Sequence, residues 1–259
     1  MIDLTPIAGL DLRLDPERLN LAFGPDLDYP APEIRTLAHV LPKLEGRHGS
    51  GTDPDHLYTI YMDICERADR QALHDQGLLY GSVIYNHGTI GGERLRSQGH
   101  LHGEKPGTGG LRYSEIYEFW TGRGLVFLQK EAALVVTGAY LVRVRAGDKL
   151  VIPFGWAHLV VTEGDEVLSF GAWCARANSL EYAQLQALGG PCYYFPDSGK
   201  PVVNPGYASV PALIRAEASD FPLLGIPTDR PIYTSWKENP MLYRFLAEPE
   251  TISDIWAHF

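Results

Sequence analysis

Gln98-Gly99-His100-Leu101-His102 opens the stretch that decides how this chain is read. The stretch continues through Ser114-Glu115-Ile116-Tyr117-Glu118 to Gly122, and closes on Gly147-Asp148 and Pro153-Phe154-Gly155-Trp156-Ala157-His158. In an extended strand side chains alternate with a period of two, so His100 and His102 fall on one face. A carboxylate and a distant third imidazole, His158, complete a mixed nitrogen and oxygen donor set. Such a set suits a divalent first-row metal such as iron, manganese, nickel or zinc. Glu115 and Glu104 are both candidates for the carboxylate. Glu115 is preferred because an apolar strand and a glycine turn follow it at a suitable spacing.

Outward from that stretch, composition sets the bounds. The 259 residues are enough to bury a sizeable core, and 45% hydrophobic with 21% charged residues is ordinary for a globular chain. A formal net charge of -10 argues against a broad nucleic-acid or anionic-membrane surface. No apolar run reaches the length of a membrane-spanning helix, and the opening Met1-Ile2-Asp3-Leu4-Thr5-Pro6 lacks a secretory pattern, so a cytoplasmic protein is expected. Cys65, Cys174 and Cys192 are odd in number and widely spaced, which fits reduced thiols and argues against a structural zinc site.

The flanks divide into regions. Residues 1–32 read as an N-terminal wrapping segment with little regular structure. Glu33 to Leu41 has helical spacing and stops at Pro42. Gly46 to Asp55 reads as a loop, Leu57 to Ile64 as a strand, and Ala68 to Gln76 as an exposed polar segment. From Leu79 the texture turns β-rich, with short apolar runs at 79–85, 125–129, 133–136, 141–144, 150–153, 158–161 and 166–171 separated by turn residues. Regular short strands of this kind indicate a sandwich or barrel. Ser179 to Leu188 suits one helix, and Tyr193 to Val203 a hairpin around Asp197-Ser198-Gly199. Residues 208–259 are Pro-punctuated but too apolar for a disordered tail, so they are expected to pack on the barrel or on a partner subunit.

The quoted stretch resembles the cupin superfamily. Gly147, Pro153, Gly155 and His158 match its second motif, and His100, His102 and the Glu115-to-Gly122 spacing match parts of its first. Arg94 and Thr162 stand where that pattern has glycine and asparagine, and the loop between His102 and Glu115 is longer than usual. Within the superfamily, Ile90-Gly91-Gly92-Glu93 through His102, the Ser114–Glu118 block with Gly122 through Gln129, Trp156-Ala157-His158 and the Tyr193–Pro205 segment resemble cupin-type phosphoglucose isomerases. That resemblance covers residues 33–207. It implies an all-β, jelly-roll-like cupin β-barrel with a few short peripheral helices. It also implies a homodimer, with 208–259 left as a C-terminal extension.

Carried across position by position, the resemblance implies metal ligands at His100, His102, Glu115 and His158, with Fe2+ as first choice and Mn2+, Ni2+ or Zn2+ as alternatives. It implies phosphate contacts at Ser82 (after a one-residue shift), Ser97 and the Gly99 amide, and a sugar-pocket tyrosine at Tyr117. Glu115 is the candidate base as well as a ligand, because alternation turns Glu118 to the opposite face. Leu159 and Arg176 depart from the pattern, since the family has an arginine and an aspartate there.

The implied activity is interconversion of glucose 6-phosphate and fructose 6-phosphate. Two other readings use the same residues: a metal-dependent cupin dioxygenase, and a non-catalytic sugar-phosphate-binding cupin. Blander readings also stand beside the site assignments. Gly99 could be a turn or bulge glycine, Ser97 a strand hydroxyl and Tyr117 a core aromatic. Arg94, Arg96, Lys105 and Arg112 read as solvated loop charges.

Overall fold

The computed structural model describes residues 1–45, 53–218 and 222–256. Ten strands build its centre: β1 (Glu33–Thr36), β2 (His56–Met62), β3 (Leu78–Tyr85), β4 (Glu115–Thr121), β5 (Arg123–Lys130), β6 (Ala139–Arg145), β7 (Lys149–Ile152), β8 (Trp156–Glu163), β9 (Leu168–Ala175) and β10 (Ile214–Glu217). They form two sheets, ordered β7-β4-β9-β3-β2-β1 and β8-β5-β6-β10. All pairs are antiparallel except β6 with β10, which run parallel. The two sheets face one another across an apolar layer in the jelly-roll-like, all-β arrangement expected of a cupin. Tyr58, Tyr85, Tyr117, Phe119 and Phe170 from the first sheet meet Val126, Val142 and Val160 from the second.

Alternation sends the other half of each strand outward, and these outer faces are buried too. The far face of the six-stranded sheet presents Tyr61, Tyr80, Ile84, Ile116, Trp120 and Trp173. N-terminal leucines and the C-terminal Ile232, Tyr233, Trp236, Tyr243 and Phe245 cover it. Trp173 donates its indole N–H to the Ile232 carbonyl at 3.2 Å, and its ring stacks on Tyr233 with centroids 5.4 Å apart. Gly171 is required in this layer, because a Cβ there would lie 2.1 Å from the Tyr80 hydroxyl. On the other side, Tyr193, Phe195 and Tyr207 cover the outer face of the second sheet.

Several expectations need correction. The N-terminal wrap is not irregular: Ile2–Asp3, Leu12–Asp15 and Asn20–Phe23 form a small antiparallel sheet whose alternate leucines are buried. The helical segment from Glu33 is a strand as far as Thr36, and only Leu37–Val40 is α-helical. Pairing of Glu33, Ile34 and Arg35 with Ile60, Thr59 and Tyr58 overrides the helical spacing. Ser179–Leu188 likewise splits into a short strand, Leu180–Glu181, and a helix, Ala183–Ala187. Residues 133–136 form no strand; Val135 makes a single bridge to Ser209. The segment 68–76 is exposed or half-buried except for Leu73, which enters the core from the Arg70–Asp75 helix. Of the loop read at 46–55, residues 46–52 lie outside the described residues. The 193–203 hairpin is present, with Tyr193–Tyr194 paired to Val202–Val203.

Candidate metal centre

Three structural devices converge on one point inside the sandwich. Leu101–His102 is a short strand paired with Leu180–Glu181, and His100 bridges His158 on β8 through reciprocal backbone bonds of 3.1 and 2.9 Å. Glu115 is the first residue of β4, and alternation sends its side chain inward with Tyr117 and Phe119. One ligand atom from each of His100, His102, Glu115 and His158 lies within 4.8 Å of all the others. Glu104 takes no part: it is exposed and pairs with Arg112 at 3.1 Å.

The hydrogen bonds behind the group fix its chemistry. His102 Nδ1 lies 3.0 Å from the Tyr113 carbonyl, and His158 Nδ1 lies 3.2 Å from the Trp156 carbonyl. A carbonyl only accepts, so each Nδ1 carries the proton and each Nε2 is left as a lone pair. His102 Nε2 is 3.3 Å from His100 Nε2, and 3.2 Å from Glu115 Oε2. His158 Nε2 is 3.6 Å from the same carboxylate oxygen. Burial, with the neighbouring imidazoles, pushes His100 well below the usual histidine range, and burial also lowers His158. Burial opposes charge on Glu115, but the adjoining His102 and His158 imidazoles outweigh that and hold its pKa well below the ordinary carboxylate range. Neutral nitrogen lone pairs and an anionic oxygen converging in a dry site repel one another unless a cation lies between them. This donor set therefore fits a divalent metal.

Tyr117 extends the group. Its hydroxyl donates to Glu115 Oε2 at 2.9 Å and sits 3.1 Å from His158 Nε2. Burial and the Glu115 charge raise its pKa far above the usual phenol range, so it acts as a neutral donor. A cavity of about 280 Å³ adjoins the group, near the lower end of the roughly 300–1,000 Å³ typical of small-molecule pockets.

The other expected site residues are distributed unevenly. Ser97 lines the cavity, and its Oγ accepts the Val160 N–H at 3.0 Å. Gly99 has φ +77° and is packed against Leu185 and Leu159, outside the cavity lining. Ser82 does not join them. Leu79, Val83 and Tyr85 are the β3 residues that face the cavity, so Ser82 lies on the opposite face, across from Gly171. Glu118 also points away from the cavity. The basic cluster is not solvated as expected: Arg96 is fully buried against Glu93 at 2.9 Å, Arg112 joins Glu104 and Glu181, and Lys105 joins Glu250. Arg35, Tyr58, Gln98 and Tyr182 line the cavity and were missed in the sequence. Alternation would have exposed Arg35 and Tyr58 together, had 33–36 been read as a strand.

With fold and site in view, the sequence profile of the family described as "Glucose-6-phosphate isomerase (GPI)" matches residues 38–211. The chain belongs to that family. It is the cupin-type branch, consistent with the two-sheet architecture and the central donor set. Among curated proteins, none matches. Solved structures similar to parts of the chain include a recombinant oxalate oxidase in complex with glycolate, at 18% identity and TM-score 0.38, covering 57% of this chain and 65% of that one. Vicilin from Corylus avellana (hazelnut) aligns at 15% identity and TM-score 0.36, covering 50% and 33%. Oxalate decarboxylase from Bacillus subtilis aligns at 17% identity and TM-score 0.33, covering 48% and 28%. The chain thus spans less than two thirds of the length of each of these three.

Proposed function

We propose that this protein is a metal-dependent aldose–ketose isomerase that interconverts glucose 6-phosphate and fructose 6-phosphate. The observation that carries this reading is the convergence of His100, His102, Glu115 and His158 beside a small-molecule cavity, in a chain of this family. The four residues would hold one divalent ion, with Fe2+ first and Mn2+, Ni2+ or Zn2+ as alternatives. Such an ion supplies charge stabilisation for the sugar oxygens at C1 and C2 while a hydrogen moves between those carbons.

The chain's own residues supply orientation and proton control. Tyr117 holds Glu115 Oε2 by hydrogen bond, which fixes the carboxylate both as a ligand and as the candidate base near C1 and C2. Glu118 has no route to the sugar, since it lies on the other face of β4. The carbonyls of Tyr113 and Trp156 keep two imidazoles in the tautomer that presents Nε2. The Ser97 hydroxyl, whose oxygen accepts the Val160 N–H and which meets the Tyr85 hydroxyl, is the remaining candidate side-chain phosphate contact in the cavity. Ser82 drops out of the phosphate contact set.

This reading takes 33–207 as the catalytic unit, flanked by 1–32 and 208–259, in a cytoplasmic homodimer. It is tested by following fructose 6-phosphate conversion after chelation and after reloading with each metal in turn. Metal-restored turnover supports it. No turnover with any metal, in a folded and metal-loaded protein, would remove the substrate assignment and direct attention to other sugar phosphates and to oxygen uptake.

A further inference from the structure

The stretch between His102 and Glu115 runs directly from one candidate ligand to another, and it folds as a compact hairpin. Glu104 bridges Arg112 in antiparallel register. The Lys105 N–H donates to the Leu111 carbonyl at 2.8 Å, and the Tyr113 N–H donates to the Gly103 carbonyl at 3.2 Å. The turn runs through Pro106-Gly107-Thr108-Gly109-Gly110, and the Thr108 hydroxyl closes it by donating to the Lys105 carbonyl at 2.7 Å. Gly103 lets the first leg lie against Ser179, since a Cβ there would sit 2.2 Å from the Ser179 Oγ. None of residues 101–113 is among those that line the cavity, so the hairpin stands behind the donor group and outside the substrate space.

The root of the hairpin bears on the metal centre. The Leu101–His102 strand is only two residues long, and pairing with Leu180–Glu181 gives it little hold of its own. Arg112 supplies a further tie. Its Nη1 donates to the His102 carbonyl at 2.5 Å and to Glu181 Oε2 at 2.8 Å, and its Nη2 donates to Glu104 Oε1 at 3.1 Å. The Arg112 side chain is 18% exposed and that of Glu104 56%, so the His102 carbonyl and Glu181 are its sheltered partners. The next residue, Tyr113, is buried, and its carbonyl accepts the His102 Nδ1 proton in a 3.0 Å bond. One guanidinium thus holds the backbone of His102 while the residue beside it orients the His102 ring. At the outer end Lys105 pairs with Glu250 of the C-terminal segment at 2.7 Å, but Glu250 is 45% exposed and such a pair contributes little.

We propose that the 103–113 hairpin is a clip that sets how long the centre keeps its metal, with Arg112 as its positioning residue. The assignment rests on the metal-centre reading above and is independent of which sugar turns over. Without the guanidinium the two-residue strand loses its tie at the His102 carbonyl, and the Tyr113 carbonyl is no longer held against Nδ1. The ring then turns, or carries its proton on Nε2, the nitrogen aimed at the metal, and either change withdraws a lone pair from the centre. The planar fork of arginine suits this task, because it spans a carbonyl and a carboxylate at once.

The test loads wild type, Arg112→Gln, Arg112→Lys, Glu181→Gln and Glu250→Gln with Co2+, whose visible bands report the donor geometry. Loss of Co2+ into excess chelator is timed, and fructose 6-phosphate turnover is measured at saturating metal. Arg112→Gln should lose Co2+ about 10-fold faster and with altered bands, the low end of the range for partners behind a metal ligand. Its KM for fructose 6-phosphate should not move, because the hairpin lies outside the cavity lining. Arg112→Lys should recover part of the retention, since an ammonium lacks the fork. Glu181→Gln, which leaves the carbonyl bond and removes the charged anchor, should fall between, and Glu250→Gln should match wild type. Wild-type retention in Arg112→Gln would overturn the clip, as would faster loss with unchanged bands, which marks only a loosened fold. If Arg112→Gln does not fold, wild-type retention and bands in Glu181→Gln would overturn it instead. Equal loss in Glu250→Gln would pass control to the C-terminal segment and overturn the assignment to Arg112. No Co2+ uptake by wild type would overturn centre and clip together. Arg112-dependent retention in a protein that does not turn over fructose 6-phosphate supports the clip and removes only the substrate.

Discussion

Glu115 and Glu118 are three residues apart on one strand, both are nearly inaccessible to solvent, and they behave in opposite ways. Glu115 faces the cavity, meets two imidazoles and the Tyr117 hydroxyl, and is held as a carboxylate. Glu118 faces the layer beneath the C-terminal segment. Burial raises its pKa to about 7, despite Lys149 at 3.5 Å and the Ile232 N–H at 3.1 Å. Lys149 spends two of its donors on the Thr228 and Arg230 carbonyls, tying the same segment down. Burial alone therefore does not decide a carboxyl group's state; the partners it meets do. One face of the sheet gathers lone pairs for a cation, while the other uses a buried pair to dock a polypeptide.

The sharpest way to break this contrast is to exchange the roles. His158→Ala or Glu115→Gln should abolish metal retention and lower turnover by more than about 100-fold, the upper cost typical of groups one step removed from a metal. Glu118→Gln should leave both within a few-fold, as measured by metal analysis and steady-state rates. Next comes the outer layer: Trp236→Ala should destabilise the fold by about 3–5 kcal/mol in chemical denaturation, with one metal still bound below the transition. Tyr117→Phe should keep the metal but lose the hydrogen bond to Glu115, lowering kcat by roughly 10-fold.

The remaining contrast concerns pH. The Glu118 pKa is raised from 4.5 to about 7 on folding, so the native state holds that proton more tightly than the unfolded chain. Its contribution to stability is fully present below pH 4.5 and is lost as pH rises to about 7. The stability difference between wild type and Glu118→Gln should shift against wild type across that window by about 3 kcal/mol, and stay flat above it.

Much of this was legible in the residues. The alternation in Glu115-Ile116-Tyr117-Glu118 places two side chains in the cavity and two on the opposite face, and the spacing of His100, His102 and His158 marks the converging nitrogens. What lay hidden was decided by distant partners. Glu33–Thr36 has helical spacing, yet it becomes an edge strand because β2 supplies hydrogen bonds, and that switch brings Arg35 into the cavity. Likeness across a one-residue shift points to Ser82, but in a strand one residue is a change of face, and Val83 occupies the inner position. Arg96 looked like a loop charge because nothing local shows that Glu93 and the Lys43 carbonyl bury it. The leucines of residues 1–32 alternate, but their purpose becomes visible only once the far face of the sheet is seen to need a cover.

The central claim is that the inner face of β4 completes a one-metal site on which isomerisation depends. Its most direct test is metal content and fructose 6-phosphate turnover measured together on wild type, Glu115→Gln and Glu118→Gln after chelation and reloading. The expected result is one metal per chain with restored turnover in wild type and Glu118→Gln, and neither in Glu115→Gln. Full metal loading and turnover in Glu115→Gln, or turnover in chelated wild type, would contradict the account.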